Sequence, residues 1–372
     1  MRNVLITGAR APVALHLTRL LAGAGMRVML ADHLLWPLAA ASRMHAGYHR
    51  IASFVHDPDG AAQALTELLD REKIDVVIPT CEEVLHLAHY WQDAGPGARL
   101  LAPDLARLQQ VHSKHDFITL CARLGLVVPE TRLLKSPEDV AATKAQAAHL
   151  VYKPVWSRFG GSVLIKPGPN GLAGIHPTPA APWVAQGYID GDEISVYAIA
   201  DEGRLTALAA YRAVIRAGAG AAVAFEPVDT GAVRPVVEAI VRRASWTGQI
   251  SFDLIVRSDG QALPIECNPR ATSGLHFFHD HAAFAAALFG GPEAAPDVTA
   301  AQGVPLALWA YGGRAAFGRA RSNIQSVFAW PGDRVGLWPQ LKSLAEFAAI
   351  AARHRITLTE ATTRDIAFGG GP

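Results

Sequence analysis

The stretch that decides the reading is Gln249-Ile250-Ser251-Phe252-Asp253-Leu254-Ile255-Val256, then Arg257-Ser258-Asp259-Gly260, then Gln261-Ala262-Leu263-Pro264-Ile265-Glu266-Cys267-Asn268-Pro269-Arg270. Two runs of strand-forming residues flank Ser258-Asp259-Gly260, the composition of a hairpin turn. A two-residue loop at Asp259-Gly260 pairs Ser258 with Gln261 and, counting back, sets Asp253 opposite Glu266. Alternation then places Asp253 and Ser251 on one face with Glu266 and Asn268, and turns Phe252, Leu254, Val256, Leu263 and Ile265 into a core. Cross-strand neighbours lie roughly 4.5 to 5.5 Å apart, so two facing carboxylates call for a cation between them, and oxygen ligands suit magnesium or manganese. A solvated hairpin face is the plain alternative. Against it, Glu266-Cys267-Asn268-Pro269-Arg270 adds an amide and a guanidinium to the acid pair, a set suited to phosphate-bound metal.

At these residues the chain resembles the ATP-grasp superfamily, most closely its carbamoyl-phosphate-synthase-like and carboxylate-amine ligase branches, over most of its length. In that family an acid on one strand and Glu-x-Asn-x-Arg on the next hold the magnesium ions of MgATP. The resemblance implies Asp253, Glu266 and Asn268 as metal ligands and Arg270 as the catalytic arginine. It also implies a hinge at Gln186-Gly187-Tyr188-Ile189-Asp190-Gly191-Asp192-Glu193, where backbone groups meet the adenine and Glu193 takes the ribose hydroxyls. Many relatives carry glutamate where this chain has Gln186. Lys153, on the short strand Val151-Tyr152-Lys153-Pro154, and Lys114, in the first turn of a helix opening at His112-Ser113, match the lysines that contact adenine and phosphates. Only seven of the 34 basic residues are lysines, which makes both placements harder to assign to chance, although each alone reads equally as a surface lysine. Trp156-Ser157-Arg158-Phe159-Gly160-Gly161-Ser162 stands where the family's lid loop belongs. Gly160 and Gly161 let backbone N–H groups approach phosphate, with Arg158 and Ser162 as added contacts. By itself a glycine pair between strands is more often a turn.

The N-terminus invites another reading. Val4-Leu5-Ile6-Thr7-Gly8 is a buried, parallel-type strand leading into a helix from about Pro12 to Ala24, and Asp32 ends the next strand. This has the outline of a dinucleotide-binding unit, but Arg10 and Val13 stand where G-x-G-x-x-G requires glycine. The expectation is a Rossmann-like domain that holds no nucleotide, of the kind that precedes the ATP-grasp domain in relatives. Ile78-Pro79-Thr80-Cys81-Glu82-Glu83 marks another strand end at its ligand-facing edge.

The expected architecture is α/β and α+β: a Rossmann-like domain over 1–111, an ATP-grasp domain over 112–300 with its lid at about 125–185, and a C-terminal part, 301–372, packing on the ATP-grasp body. Within that part a helix is expected over Leu341–Arg353 and a strand over Ile356–Thr359, with disorder from Gly369 to Pro372. At 372 residues, half of them hydrophobic, the chain supports more than one core. A net charge of +1 with no basic patch argues against nucleic acid. No apolar run reaches the roughly 18 residues of a membrane span, and Arg10, His16 and Arg19 interrupt the N-terminal apolar stretch. Cys81, Cys121 and Cys267 lack disulfide or zinc spacing, which suits a reducing cytoplasm. Cys267 is expected to pack inward. His276, His279 and His281 are a candidate metal cluster, with a substrate loop or the surface as the alternative.

The function implied is an ATP-dependent ligase that phosphorylates a small-molecule carboxylate to an acyl phosphate, releasing ADP, for attack by an amine; a homodimer is left open. Ala271-Thr272-Ser273-Gly274-Leu275 would face the acceptor, and Arg212 and Arg216 are candidates for a substrate carboxylate, or plain strand arginines. Some amine-ligating relatives carry an arginine just before the first metal acid; here that stretch is Thr247-Gly248-Gln249-Ile250-Ser251. Two alternatives remain: a non-catalytic ATP-binding sensor and an NAD(P)-dependent oxidoreductase.

Overall fold

The computed structural model describes residues 1–156, 163–217, 222–311 and 323–369. The chain begins with β1 (Asn3–Thr7), α1 (Pro12–Gly23), β2 (Arg27–Asp32), β3 (Gly47–Arg50), α2 (Pro58–Glu72), β4 (Val76–Ile78), α3 (Glu83–Ala94) and β5 (Arg99–Leu100). The strands form a five-stranded sheet in the order β3-β2-β1-β4-β5, parallel throughout. Its apolar runs are continuous because both faces are covered. Val4, Ile6, Val28 and Leu30 enter the core beneath α1, while Leu5, Met29 and Val77 enter a second core with Leu65, Leu68 and Leu69 of α2. Proline at the first position of α1 costs that helix no hydrogen bond.

Two short helices, α4 (Leu105–His112) and α5 (Lys114–Arg123), lead away from this unit. Ser113 Oγ accepts from the Asp116 N–H and so starts α5, which fixes Lys114 at its first position. Next come β6 (Thr131–Leu134), α6 (Pro137–Thr143), β7 (Leu150–Pro154), β8 (Leu164–Ile165) and β9 (Trp183–Gly187). They make an antiparallel sheet, β6-β9-β7-β8, with a small core of its own around Leu134, Tyr152 and Ala185.

The body comprises β10 (Asp192–Asp201), β11 (Arg204–Arg216), β12 (Ala222–Val228), α7 (Arg234–Arg243), β13 (Gly248–Val256), β14 (Ala262–Asn268), α8 (His281–Leu288), β15 (Gln302–Gly303), α9 (Pro305–Tyr311) and β16 (Gln325–Ser326). Its seven-stranded sheet runs β14-β13-β10-β11-β12-β15-β16. One face packs Val196, Ala198, Phe252 and Leu254 against α4, α5 and α7. The other packs Tyr197, Tyr211 and Phe225 against Phe277, Phe278 and Phe284, in the same core that α1 enters. The N-terminal sheet and the body therefore share one core, which turns the ends of β1 and β4 toward the β13–β14 hairpin.

The chain closes with α10 (Leu337–His354) and α11 (Leu358–Ala361). The expected strand over Ile356–Thr359 is instead the start of α11. Thr357 Oγ1 accepts from the Glu360 N–H, and the Glu360 carboxylate accepts from the Thr357 N–H. This Thr-x-x-Glu capping box outweighs the β-branched residues that suggested a strand. The last forty-odd residues touch both units: β16 belongs to the body sheet and Phe328 and Trp330 enter the shared core, while Glu346 accepts from the Leu35 and Trp36 N–H groups, Ser53 donates to the Asp365 carbonyl, and Arg10 pairs with Asp365. Among the described residues no helix is long and apolar enough to cross a membrane.

Candidate active site

The hairpin reaches its expected pairing by an unexpected route. The turn holds three residues, not two: the Gly260 N–H donates to the Arg257 carbonyl, Gly260 takes φ +82°, and Arg257 pairs with Gln261. That shifts the register by one near the turn, so Val256 faces Ala262 and Leu254 faces Pro264. A bulge between Leu254 and Asp253 restores it, and Asp253 stands opposite Glu266 and Ser251 opposite Asn268. Pro264 has no N–H to give the ladder, which suits a bulge on the edge strand. One correction follows: Ala262 rather than Leu263 or Ile265 joins the core below, Leu263 pairs with Ile255, and Ile265 lines the cavity above. Phe252, Leu254 and Cys267 face inward as expected.

On the upper face Ser195 Oγ donates to Asp253 Oδ1 at 2.7 Å, and Asn268 Nδ2 approaches Asp253 Oδ2 at 3.4 Å. Arg270 Nη2 donates to Asn268 Oδ1 at 3.3 Å, and Ser251 Oγ donates to the Arg270 carbonyl. Two buried lysines meet this row. Lys114 Nζ lies 3.3 Å from Glu266 Oε1, and Lys153 Nζ donates to the Ile265 carbonyl at 3.1 Å. Burial, reinforced by the Glu266 charge, pushes the Asp253 carboxyl up to about 6. Burial draws the Lys153 ammonium down to about 8, the neighbouring Lys114 adding to the fall and Glu266 opposing it. Strained charges of both signs in one place are characteristic of sites that bind a charged ligand.

The row forms the wall of a cavity of about 970 Å³ between the body, the β6–β9 sheet and the N-terminal unit. At one end Val151, Lys153, Ile165, Gln186, Gly187, Tyr188, Ile189, Gly191 and Glu193 line it. The Gly187 and Tyr188 N–H groups already donate to the Glu130 and His149 carbonyls, and Gln186 Nε2 donates to Thr131 Oγ1. A Cβ on Gly191 would stand 2.5 Å from the Val256 carbonyl oxygen, so this crossing tolerates glycine alone. Glu193 pairs with Arg216 Nη2 at 2.9 Å. Of the two candidate substrate arginines, Arg216 thus sits beside the ribose-binding candidate, while Arg212 is an exposed strand residue paired with Glu226 and does not line the cavity. Arg158, Gly160, Gly161 and Ser162 lie outside the described residues.

Thr80, Cys81 and Glu82 line the cavity from the end of β4, and Ala271, Thr272 and Ser273 from beyond β14. His276, His279 and His281 do not gather as a metal cluster. His276 and His279 pack against the His16 ring, and His279 and His281 against Trp330. Burial draws His276 down to about 3, as expected of a neutral core histidine. Among the described residues no group of three or more His, Cys, Asp or Glu could hold a metal ion. Ser195, Tyr211, Ile255 and the C-terminal residues Gln340, Ser343, Phe347 and Ile366 also line the cavity without having been anticipated. Ser195 follows Glu193 at strand spacing, which was a usable signal; the C-terminal residues gave none.

At the dinucleotide position of the N-terminal sheet the space is about 30 Å³. Arg10 fills it, pairing with Asp32 and with Asp365 at 2.5 Å each, and the Arg10, His33 and Leu34 N–H groups also donate to Asp32. The carboxylate that would take a ribose hydroxyl is therefore fully engaged by the protein.

One family model, described as an ATP-grasp domain, matches residues 112–274, the segment that carries both lysines, the hinge and the acid hairpin. The chain carries an ATP-grasp domain. The fold agrees. A crystal structure of N5-carboxyaminoimidazole synthetase from Staphylococcus aureus is similar at a TM-score of 0.61 and 13% identity, covering 81% of this chain and 80% of that one. The biotin carboxylase domain of 2-oxoglutarate carboxylase from Hydrogenobacter thermophilus, in complex with MgADP, ADP and bicarbonate, gives 0.60 and 14%, covering 78% and 70%. An L-amino acid ligase from Bacillus licheniformis gives 0.54 and 13%, covering 74% and 68%. No curated protein matches the sequence.

Proposed function

We propose that the protein is an ATP-dependent ligase that activates a small carboxylic acid as an acyl phosphate and joins it to an amine, with ADP and phosphate as products. The observation that carries the reading is the facing pair Asp253 and Glu266, flanked by Asn268 and Arg270 and met by Lys114 and Lys153 at a cavity wall. The biotin carboxylase domain solved with MgADP and the L-amino acid ligase, similar in fold, support it.

A divalent cation fits this donor set. Two carboxylate groups and one amide oxygen, all hard, are too few for an all-protein cage and suit magnesium that shares its sphere with phosphate oxygens. The burial that raises Asp253, together with the Glu266 charge, is the strain such an ion relieves. Bound there, magnesium would neutralise phosphate charge and template the transfer. The chain's own residues do the rest. The hinge Gln186–Ile189 and Glu193 hold adenine and ribose, Lys153 and Lys114 screen the phosphates, and Arg270 stabilises charge on the moving phosphoryl group. A carboxylate oxygen bonds to the γ-phosphorus as the bond to the β,γ-bridging oxygen breaks and ADP leaves. The amine nitrogen then bonds to the acyl carbon, the C–O bond to phosphate breaks, and the amine gives up a proton.

A mass-spectrometric screen of amino acids and small carboxylates with MgATP identifies the acid. With that acid labelled by oxygen-18, one labelled oxygen should appear in inorganic phosphate. Release of AMP and pyrophosphate, or unlabelled phosphate, overturns the route, and tight nucleotide binding with no ADP formed from any acid points to a non-catalytic ATP-binding protein.

A further inference from the structure

The cavity is larger than a nucleotide needs, at the upper end of the roughly 300–1,000 Å³ of single-ligand sites. Its far end, beyond Arg270 and Thr272, carries the uncharged polar side chains of Gln340, Ser343, Thr362 and Thr363 and six apolar ones: Val13 at the start of α1, Leu38, Phe328, Leu344 and Phe347 on α10, and Ile366. Five of these six apolar residues are at least nine-tenths buried. The fixed cation at this end, Arg10, is already matched by two carboxylates. On α10 the apolar character continues outward: Leu337, Leu341 and Leu344 recur at helical spacing and remain 58%, 38% and 41% exposed. Apolar side chains on α10 thus extend from the cavity wall at Leu344 and Phe347 to the surface at Leu337 and Leu341, with Gln340 and Ser343 beside them.

We propose that the acid activated by this protein has an aliphatic or aromatic body, seated against this C-terminal wall with its carboxylate at Arg270. The inference rests on the ligase reading above and adds the substrate class to it. An apolar body gains by leaving water for these side chains, whereas a second anionic group on the acid would meet, at this far wall, only Arg10, already matched by Asp32 and Asp365. The α10 and Ile366 wall makes the C-terminal segment the part of the chain that determines specificity.

The test is a graded series of acids incubated with MgATP and hydroxylamine, which attacks the acyl carbon and expels phosphate to give a hydroxamate. The series runs through acetate, butyrate, hexanoate, octanoate, glycine, leucine and phenylalanine, against bicarbonate, succinate, glutamate and 3-phosphoglycerate. In the apolar members kcat/KM should rise about fourfold for each added CH2 until the wall is filled. Leu344→Asp, at a half-exposed position, should lower it at least tenfold for the best apolar acid and leave ADP affinity by calorimetry unchanged. Phe347→Ala should act in the same direction. A flat series, a preference for a charged or two-carbon acid, no hydroxamate from any apolar acid, or indifference to Leu344→Asp overturns the inference. Failure of ADP to bind with magnesium overturns the ligase reading itself, so the two failures are told apart.

Discussion

Replacing Asp253 by asparagine should stabilise the metal-free protein while abolishing its activity. Asp253 is held near 6 against an ordinary 3.8, first by burial and then by Glu266. At about 1.36 kcal/mol per pH unit this is on the order of 3 kcal/mol of cost to keep the carboxylate ionised in the folded state. The substitution keeps an oxygen to accept from Ser195 but sets an amide nitrogen against Asn268 Nδ2, which returns about 1 kcal/mol. The net gain is about 2 kcal/mol, a rise in Tm of a few degrees. The sign follows from the raised pKa. The folded state binds this proton more tightly than the unfolded chain, so the wild type holds the contribution in full below about 3.8 and loses it as pH rises through about 6. The advantage of Asp253→Asn should therefore be complete at pH 8 and nearly absent at pH 4. Urea denaturation at both pH values in EDTA measures it, and magnesium with ATP should stabilise the wild type far more than the variant. A variant no more stable than wild type at pH 8 without metal would refute the account of opposed carboxylates.

Two further outcomes are expected. Because Lys153 titrates near 8, kcat/KM for ATP should fall above that pH as the ammonium is lost, and Lys153→Arg should remove that limb; a limb that persists in the variant would place the titration elsewhere. Arg10→Met leaves the buried Asp32 and Asp365 without their cation and should cost about 3–5 kcal/mol at pH 7, measured by urea denaturation. Adding Asp32→Asn and Asp365→Asn should return most of that, and an Arg10→Met cost below about 1 kcal/mol would count against the buried triad.

The chain order of residue types set the chemistry of the site. Two acids, an amide and an arginine around one turn carried the hairpin pairing, and period-two alternation put Phe252, Leu254 and Cys267 below and Asp253 above. The same local rule fixed the buried β1, the proline-started α1 and the failure of the glycine fingerprint at Arg10. Sequence reasoning failed where a local preference had two outlets. The turn took three residues and a bulge at Pro264 absorbed the extra one, so the pairing was right although the path and the facing of Leu263 and Ile265 were not. Thr357 and Glu360 closed a capping box where β-branched residues suggested a strand. Only the tertiary structure brought Lys114 to Glu266, across 152 positions of chain, and Arg10 to Asp365, across 355. It alone laid α10 and Ile366 along the far wall of the cavity. Such meetings are set by how the layers pack around the shared core, a property of the whole chain's apolar surface that no window of neighbouring residues contains.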